Sequence, residues 1–179
     1  PLAGTENASY PFWSPDSRFI GFFAEGKMKK IEASGSPAQA LADAPYGRGG
    51  NWNNGGFIVF APSYIGGISQ VSAAGGATKQ VTTLDTNRQE DSHRWPFFLP
   101  DGRHFIFFAG SSQSEKSAIV AVSLDLREQR IVMNAQSNAI FAYPGYLLFI
   151  RGTSLMAQPF DAGSQELMGD AIPVEEDVG

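Results

Sequence analysis

A unit of about 43 residues recurs along the chain, and no other feature restricts the possible folds so strongly. Pro15-Asp16 and Pro100-Asp101 lie 85 positions apart, which is two such periods. Each pair leads into an apolar run, at residues 19–23 and 105–108. Because proline presets φ and aspartate accepts backbone N–H bonds, the pairs indicate tight turns that precede buried strands.

Two further units complete the series. Asn-Asn-Gly-Gly at 53–56 precedes an apolar run at 57–60, and Tyr-Pro-Gly at 143–145 precedes another at 147–150. In each unit a second apolar segment and a final strand follow, so we expect four short strands per repeat. An aromatic residue stands close to the start of each unit: Trp13, Trp52, Trp95 and Phe141.

Four antiparallel strands in roughly 40–45 residues are typical of a β-propeller blade. We therefore predict an all-β fold, a β-propeller made of four-stranded antiparallel blades. The second strand of each blade reads as a continuous apolar run, so it is expected to be covered on both faces. The predicted blades cover residues 8–43, 44–89, 90–135 and 136–179.

The number of blades leads to a separate expectation about how the propeller is completed. Four blades are at the lower end of the range for a closed propeller, so we expect this segment to belong to a larger one. The chain starts at Pro1 without an initiating methionine, and the acidic tail 175–178 resembles the lead into another blade. As an alternative, the open blade edges predict a homodimer in which two copies of the chain close the propeller ring.

The turn motifs resemble a known family. Trp-Ser-Pro-Asp-Ser-Arg at 13–18 and Phe-Leu-Pro-Asp-Gly-Arg-His at 98–104 resemble the blade signature of TolB-type, WD-repeat-like propellers. Phe-Ala-Pro-Ser at 60–63 and Met-Ala-Gln-Pro-Phe-Asp at 156–161 resemble the propeller region that follows the kinase domain of some bacterial eukaryotic-like serine/threonine kinases. This second resemblance implies a receptor-like kinase as the parent protein, with the propeller on the periplasmic side. Without the kinase link, the sequence leaves the compartment open.

The resemblance and the motifs favour a non-catalytic interaction or sensing module. The chain contains no Gly-x-Ser-x-Gly elbow, no kinase motif and no cysteine, so we expect no enzymatic activity. Two alternatives stay open. One is an accessory propeller of a hydrolase, for peptidase gating or glycan chemistry, and the other is a TolB-like docking module at the cell envelope.

Charge and composition restrict the partners. A net charge of −5 and a pI near 5.0 argue against nucleic acid, which needs clustered basic residues. No apolar run approaches the ~20 residues that span a bilayer, so we expect no membrane contact by this segment. Asp85, Asn87, Glu90 and Asp91 supply oxygen ligands but lack the glycine and spacing of a calcium loop. We predict neither a metal nor a cofactor.

Arg48, His93 and Arg94 are the candidate binding residues. In a propeller, the loops that feed the innermost strands open onto one face, and these three residues precede such strands. They are predicted to form a polar rim for a small anionic ligand, or for an acidic segment of a protein or peptide partner. The sequence favours the other interpretation, in which they hydrogen-bond loop carbonyls and pair with Glu90 or Asp91.

Overall fold

Each of the four repeat units forms an antiparallel sheet in the computed structural model, which describes residues 2–125 and 128–178. The predicted all-β architecture of four-stranded units is confirmed. In three sheets the strands lie in sequence order. The described residues contain only two short 3₁₀ helices, Thr86–Arg88 and Ser114–Lys116. None of their helices has the length and apolarity to cross a membrane.

The four sheets are called blades one to four. Blade one contains β1 (Ser9–Trp13), β2 (Phe19–Ala24), β3 (Lys27–Glu32) and β4 (Gln39–Asp43). Blade two contains β5 (Gly50–Trp52), β6 (Phe57–Phe60), β7 (Ser69–Ser72) and β8 (Lys79–Gln80). Blade three contains β9 (Glu90–Phe98), β10 (His104–Ser111), β11 (Ala118–Ser123) and β12 (Gln129–Asn134). Blade four contains β13 (Ala139–Ala142), β14 (Tyr146–Arg151), β15 (Ser154–Asp161), β16 (Glu166–Leu167) and β17 (Ile172–Glu175).

The chain divides into two compact units, each described separately below. The first runs to Thr83 and also includes Ser92–Pro96, and the second comprises Leu84–Asp91 and the chain from Phe97 onward. Blades one and two belong to the first unit. Most of blade three and the whole of blade four belong to the second.

The turn between the first two strands is built by side chains in blades one and two. In blade one, Ser14 Oγ accepts the N–H of Phe19 at 2.8 Å. In blade two, Asn53 Oδ1 accepts the N–H of Phe57 at 2.9 Å. The Asn53 side chain therefore accepts the turn-closing backbone N–H, as Ser14 does in blade one, and the turn is one residue shorter. This explains how blade two forms without the Ser-Pro-Asp sequence.

Asp101 builds the corresponding turn of blade three. Its Oδ1 accepts the backbone N–H groups of Arg103 and His104, each at 2.9 Å, and its Oδ2 lies 2.5 Å from His104 Nδ1. Partial burial opposes ionisation of the carboxyl. The hydrogen bonds from His104 and Arg103 outweigh it, so the pKa of Asp101 is lowered from its ordinary 3.8.

This lowered pKa predicts a pH dependence of stability. A carboxyl whose folded-state pKa lies below its unfolded value adds stability above about pH 4, and this is lost as the pH falls through the folded pKa. We expect the free energy of unfolding to fall below about pH 4, and to fall less steeply in Asp101→Asn. The effect is modest because the Asp101 side chain is 41% exposed. Urea unfolding at a series of pH values measures both slopes. Equal slopes for wild type and Asp101→Asn would contradict the prediction.

A single apolar core joins blades one and two. Period-two alternation directs one face of each sheet into this core. Fully burying a large apolar side chain contributes about 1.5–3 kcal/mol, so the residues of this core stabilise the first unit. Its buried members are Phe12, Phe23, Met28, Leu41, Ala44, Ile58, Phe60 and Val71.

The second unit has one blade buried on both faces and one that is not. All six residues of β11 are buried, and so are six of the eight in β10. In blade four only Leu147 and Phe149 of β14 are buried, while Ile150 and Arg151 are exposed. Within the part of the chain that the structure describes, blade four therefore does not meet the expectation that every second strand is covered on both faces.

The outer edge of blade four departs from the four-strand pattern. β15 is long enough to pair with two short strands, β16 at Phe160 and Asp161 and β17 at its start. The sheet therefore has five strands. The blade boundaries drawn from the sequence stay predictions.

Candidate arginine–aromatic binding site

The first half of β9 lies along the loops of blade two. The N–H of His93 donates to Gly66 O at 2.8 Å, and the N–H of Trp95 donates to Arg48 O at 2.9 Å. These bonds join residues that are distant in sequence. They bring Arg48 to the same place as Arg94 and Trp95.

Both arginines lie beside aromatic rings. The Arg48 guanidinium carbon is 5.9 Å from the centre of the Tyr10 ring, and that of Arg94 is 4.9 Å from the Trp95 ring. Guanidinium groups at such distances are attracted to the ring face. We call Tyr10, Arg48, Arg94 and Trp95 the arginine–aromatic cluster.

The two aromatic residues share an unusual backbone. Tyr10 has φ of 49° and Trp95 has φ of 51°, in the left-handed region that bulky residues seldom adopt. Each is followed by a proline, Pro11 and Pro96. Strained backbone of this kind is concentrated at functional sites, so its recurrence at both rings supports a binding role for the cluster.

His93 lies elsewhere. Its side chain is fully buried, and its Nδ1 lies 2.7 Å from Thr82 Oγ1. The same hydroxyl accepts the N–H of Ile68 at 2.8 Å. Successive side chains of a strand point to opposite faces, so His93 and Arg94 are directed apart. Of the three predicted rim residues, Arg48 is bonded through its backbone to Trp95, Arg94 lies beside the Trp95 ring, and His93 is directed inward.

Three residues beside the predicted rim were missed by the sequence reasoning. Tyr10 belongs to the cluster, and Tyr46 and Tyr64 form an edge-to-face pair with ring centres 5.2 Å apart. Both tyrosines of this pair are about half exposed. One signal was available in the sequence, because the aromatic–proline step Tyr10-Pro11 recurs 85 positions later as Trp95-Pro96.

The acidic loop that was weighed as a calcium site has other bonds. Asp85 Oδ1 accepts the N–H groups of Asn87 and Arg88, and Glu90 Oε2 accepts the N–H of Asp85 at 2.7 Å. Asp85 therefore caps the 3₁₀ helix Thr86–Arg88, and Glu90 holds the backbone of Asp85. Within the described parts of the chain, no group of three or more His, Asp or Glu residues is arranged to hold a metal ion.

Comparisons with known proteins identify the fold. No protein-family model matches the chain, and no curated protein matches it.

Solved structures do match. A putative TolB from Agrobacterium tumefaciens aligns with a TM-score of 0.73 at 14% identity, covering 94% of this chain and 62% of that one. TolB from Acinetobacter baumannii aligns with a TM-score of 0.70 at 14% identity, covering 93% and 43%. A Xanthomonas campestris protein described as a gluconolactonase aligns with a TM-score of 0.69 at 15% identity, covering 98% and 65%. The chain therefore spans less than two thirds of the length of each.

The comparisons correct one expectation and leave another without support. The prediction that the chain is not an enzyme, drawn from missing motifs and a resemblance, is contradicted, because a protein described as a gluconolactonase has a similar fold. A fold does not determine function, and missing sequence motifs do not exclude chemistry on propeller loops. The link to serine/threonine kinases is not supported by these structures.

TolB-type structures and a gluconolactonase thus share one architecture with this chain. The resemblance to TolB-type blades is confirmed at the level of the fold. The chain is a set of four-stranded antiparallel β-propeller blades similar to those of TolB.

Proposed function

We propose that the chain is a TolB-like docking module that binds an acidic segment of a protein partner at the arginine–aromatic cluster. The observation that carries this proposal is the backbone bond from Trp95 N–H to Arg48 O, since it joins two segments that each carry an arginine beside an aromatic ring. The TolB-like fold supports it as well.

The chemistry of the cluster suits a carboxylate-bearing peptide. Guanidinium groups bind carboxylates through paired, charge-assisted hydrogen bonds. Tyrosine, tryptophan and arginine are the residues that most often dominate binding energy at protein interfaces. The exposed Tyr46–Tyr64 pair adds a second aromatic surface on the adjacent loops of the same unit.

Fluorescence anisotropy with a fluorescein-labelled hexaglutamate peptide tests the proposal. We expect binding at low salt that weakens as salt screens the charges. Arg48→Ala and Arg94→Ala should each weaken binding roughly tenfold, the effect of losing one hydrogen bond to a charged group. Hexaglutamine is the neutral control peptide and should bind much more weakly.

Arg18→Ala is the matched protein control. Its guanidinium carbon lies 5.7 Å from the Phe19 ring, so it too is an arginine beside an aromatic ring. It lies in the turn between β1 and β2, outside the cluster. If wild type fails to bind hexaglutamate, or if Arg18→Ala lowers affinity as much as Arg48→Ala, the proposal is rejected.

Lactone hydrolysis is the second candidate, and the gluconolactonase with the same fold favours it. Acid release from glucono-lactone, followed in a pH-stat, tests it directly. A rate proportional to protein concentration supports the candidate. A rate equal to that of spontaneous hydrolysis removes it and leaves the docking proposal unaffected.

A further inference from the structure

The turn between β5 and β6 contains the one asparagine of the sequence that is followed by glycine, Asn54-Gly55. The other asparagines precede alanine, tryptophan, asparagine or arginine. In an Asn-Gly pair the glycine nitrogen can attack the side-chain carbonyl carbon of the asparagine and close a succinimide ring. Glycine favours this attack because it has no Cβ and lets the backbone rotate freely.

The two reacting groups are accessible in the structure. Asn54 and Gly55 are both exposed. The turn is closed by other groups, since Gly56 N–H donates to Asn53 O at 3.2 Å and Asn53 Oδ1 accepts the N–H of Phe57 at 2.9 Å. Among the described residues, none forms a hydrogen bond with the Gly55 N–H or with the Asn54 side chain. The attacking nitrogen and its target are therefore adjacent and are not held by other bonds.

The space around this pair is uncrowded. A Cβ built on Gly55 would have Asn53 Oδ1 as its nearest neighbour, at 3.4 Å, which is ordinary contact. A Cβ built on Gly56 would meet no described atom within 4 Å. Other asparagines are held in place, as in the bond from Arg88 Nη2 to Asn134 Oδ1 at 3.1 Å. Asn54 thus combines a reactive neighbour with freedom to move.

We propose that Asn54 is a site of spontaneous covalent modification, at which the side-chain amide is lost through a cyclic imide. The Gly55 nitrogen gives its proton to a solvent base and forms a bond to Cγ of Asn54. The bond from Cγ to Nδ2 breaks, and the leaving nitrogen takes up a proton and departs as ammonia. Water then opens the imide at either carbonyl, which gives aspartate or isoaspartate at position 54. The reaction consumes water and needs no cofactor or oxidant.

The two products differ in their effect on the turn. Both add a negative charge, because a carboxylate replaces a neutral amide. Isoaspartate also lengthens the main chain, since the backbone then runs through the side-chain methylene. The turn leads directly into β6, whose last three residues are buried, so a longer backbone disturbs a buried strand. We therefore expect isoaspartate, and not aspartate, to lower the unfolding midpoint. No residue of the arginine–aromatic cluster lies in this turn, so this proposal is independent of the docking proposal.

Ageing the chain at mildly alkaline pH, followed by tryptic peptide mapping with mass spectrometry, tests the proposal. Asn54 lies in the tryptic peptide 49–79, and Asn138 in the peptide 131–151 is the control within the same protein. Asn138 is also exposed, but alanine follows it. Conversion at Asn54 should be roughly tenfold faster than at Asn138, because only glycine leaves the attacking geometry easily accessible. It should also rise with pH, since the attacking nitrogen must lose a proton.

Gly55→Ala and Asn54→Gln are the matched variants. Alanine restricts the backbone and glutamine would have to close a larger ring, so each should slow conversion roughly tenfold. Asn54→Asp carries the new charge without the longer backbone and should unfold like wild type in urea. Aged protein, with its isoaspartate measured by isoaspartate methyltransferase labelling, should unfold at lower urea.

The comparison of Asn54 with Asn138 is made in wild type, so it does not depend on the folding of any variant. Conversion at Asn54 that is no faster than at Asn138 would overturn the proposal. So would conversion that occurs only in urea-unfolded protein, because the folded turn would then prevent the attack.

Discussion

Replacing Gly47 with alanine is expected to destabilise the first unit by about 2–3 kcal/mol. An alanine Cβ at this position would lie 2.1 Å from Cδ1 and 2.5 Å from Cγ of Phe23. Real Cβ atoms do not approach other heavy atoms so closely, so either the ring or the loop has to move. The Phe23 ring is 4% exposed and belongs to the core between blades one and two, which leaves it no free space.

A double-mutant cycle isolates this contact. Phe23→Leu alone should cost about 1–2 kcal/mol, because it removes buried ring atoms. In the Phe23→Leu background, Gly47→Ala should cost less than in wild type, since the shorter side chain leaves room for the methyl group. Urea unfolding followed by tryptophan fluorescence measures all four proteins.

Gly55→Ala is the control for loss of glycine as such. An alanine Cβ there would lie 3.4 Å from its nearest neighbour, Asn53 Oδ1, which is ordinary contact. Its unfolding midpoint should stay within experimental error of wild type. Additive effects of Phe23→Leu and Gly47→Ala would show that the ring is not the source of the destabilisation.

Thr82→Val is expected to cost about 1–3 kcal/mol, although valine and threonine have nearly the same shape. The hydroxyl of Thr82 accepts the N–H of Ile68 and contacts Nδ1 of His93, and all three residues are buried. Valine removes the acceptor of a buried backbone N–H, which water cannot replace. Thr82→Ser keeps the hydroxyl and should retain most of the stability.

The same substitution tests how the candidate site is held. The hydroxyl anchors His93, and His93 precedes Arg94 and Trp95 of the arginine–aromatic cluster. We therefore expect Thr82→Val, but not Thr82→Ser, to weaken hexaglutamate binding under conditions where both variants are folded. Equal unfolding free energies for Thr82→Val and Thr82→Ser would contradict the structural role of the hydroxyl.

Much of the fold could be predicted because it depends on local signals. The Pro-Asp turns, the apolar runs and their period are properties of short stretches, and blades one and three follow them closely. Even blade two, which lacks Ser-Pro-Asp, forms the same turn because Asn53 offers an oxygen in the place of Ser14. The split edge of blade four could not be predicted, because the pairing of one end of β15 with β16 and of its other end with β17 is a contact between strands and not a local pattern.

The candidate site stays a prediction. The backbone bond between Trp95 and Arg48 and the burial of His93 against Thr82 both depend on contacts between segments that are distant in sequence. Tyr10 was missed because its approach to Arg48 depends on contacts between segments that are distant in sequence.

The sequence by itself determined that this chain forms four-stranded blades, and where their turns and buried strands lie. Those features arise from proline and glycine backbone preferences, side-chain capping and period-two burial, all of which act over a few residues. Only the tertiary structure decided that Arg48 meets Trp95, that His93 faces Thr82, and that Ile150 of blade four is exposed. Each of these depends on which segments pack together in space, and a local pattern does not contain that information.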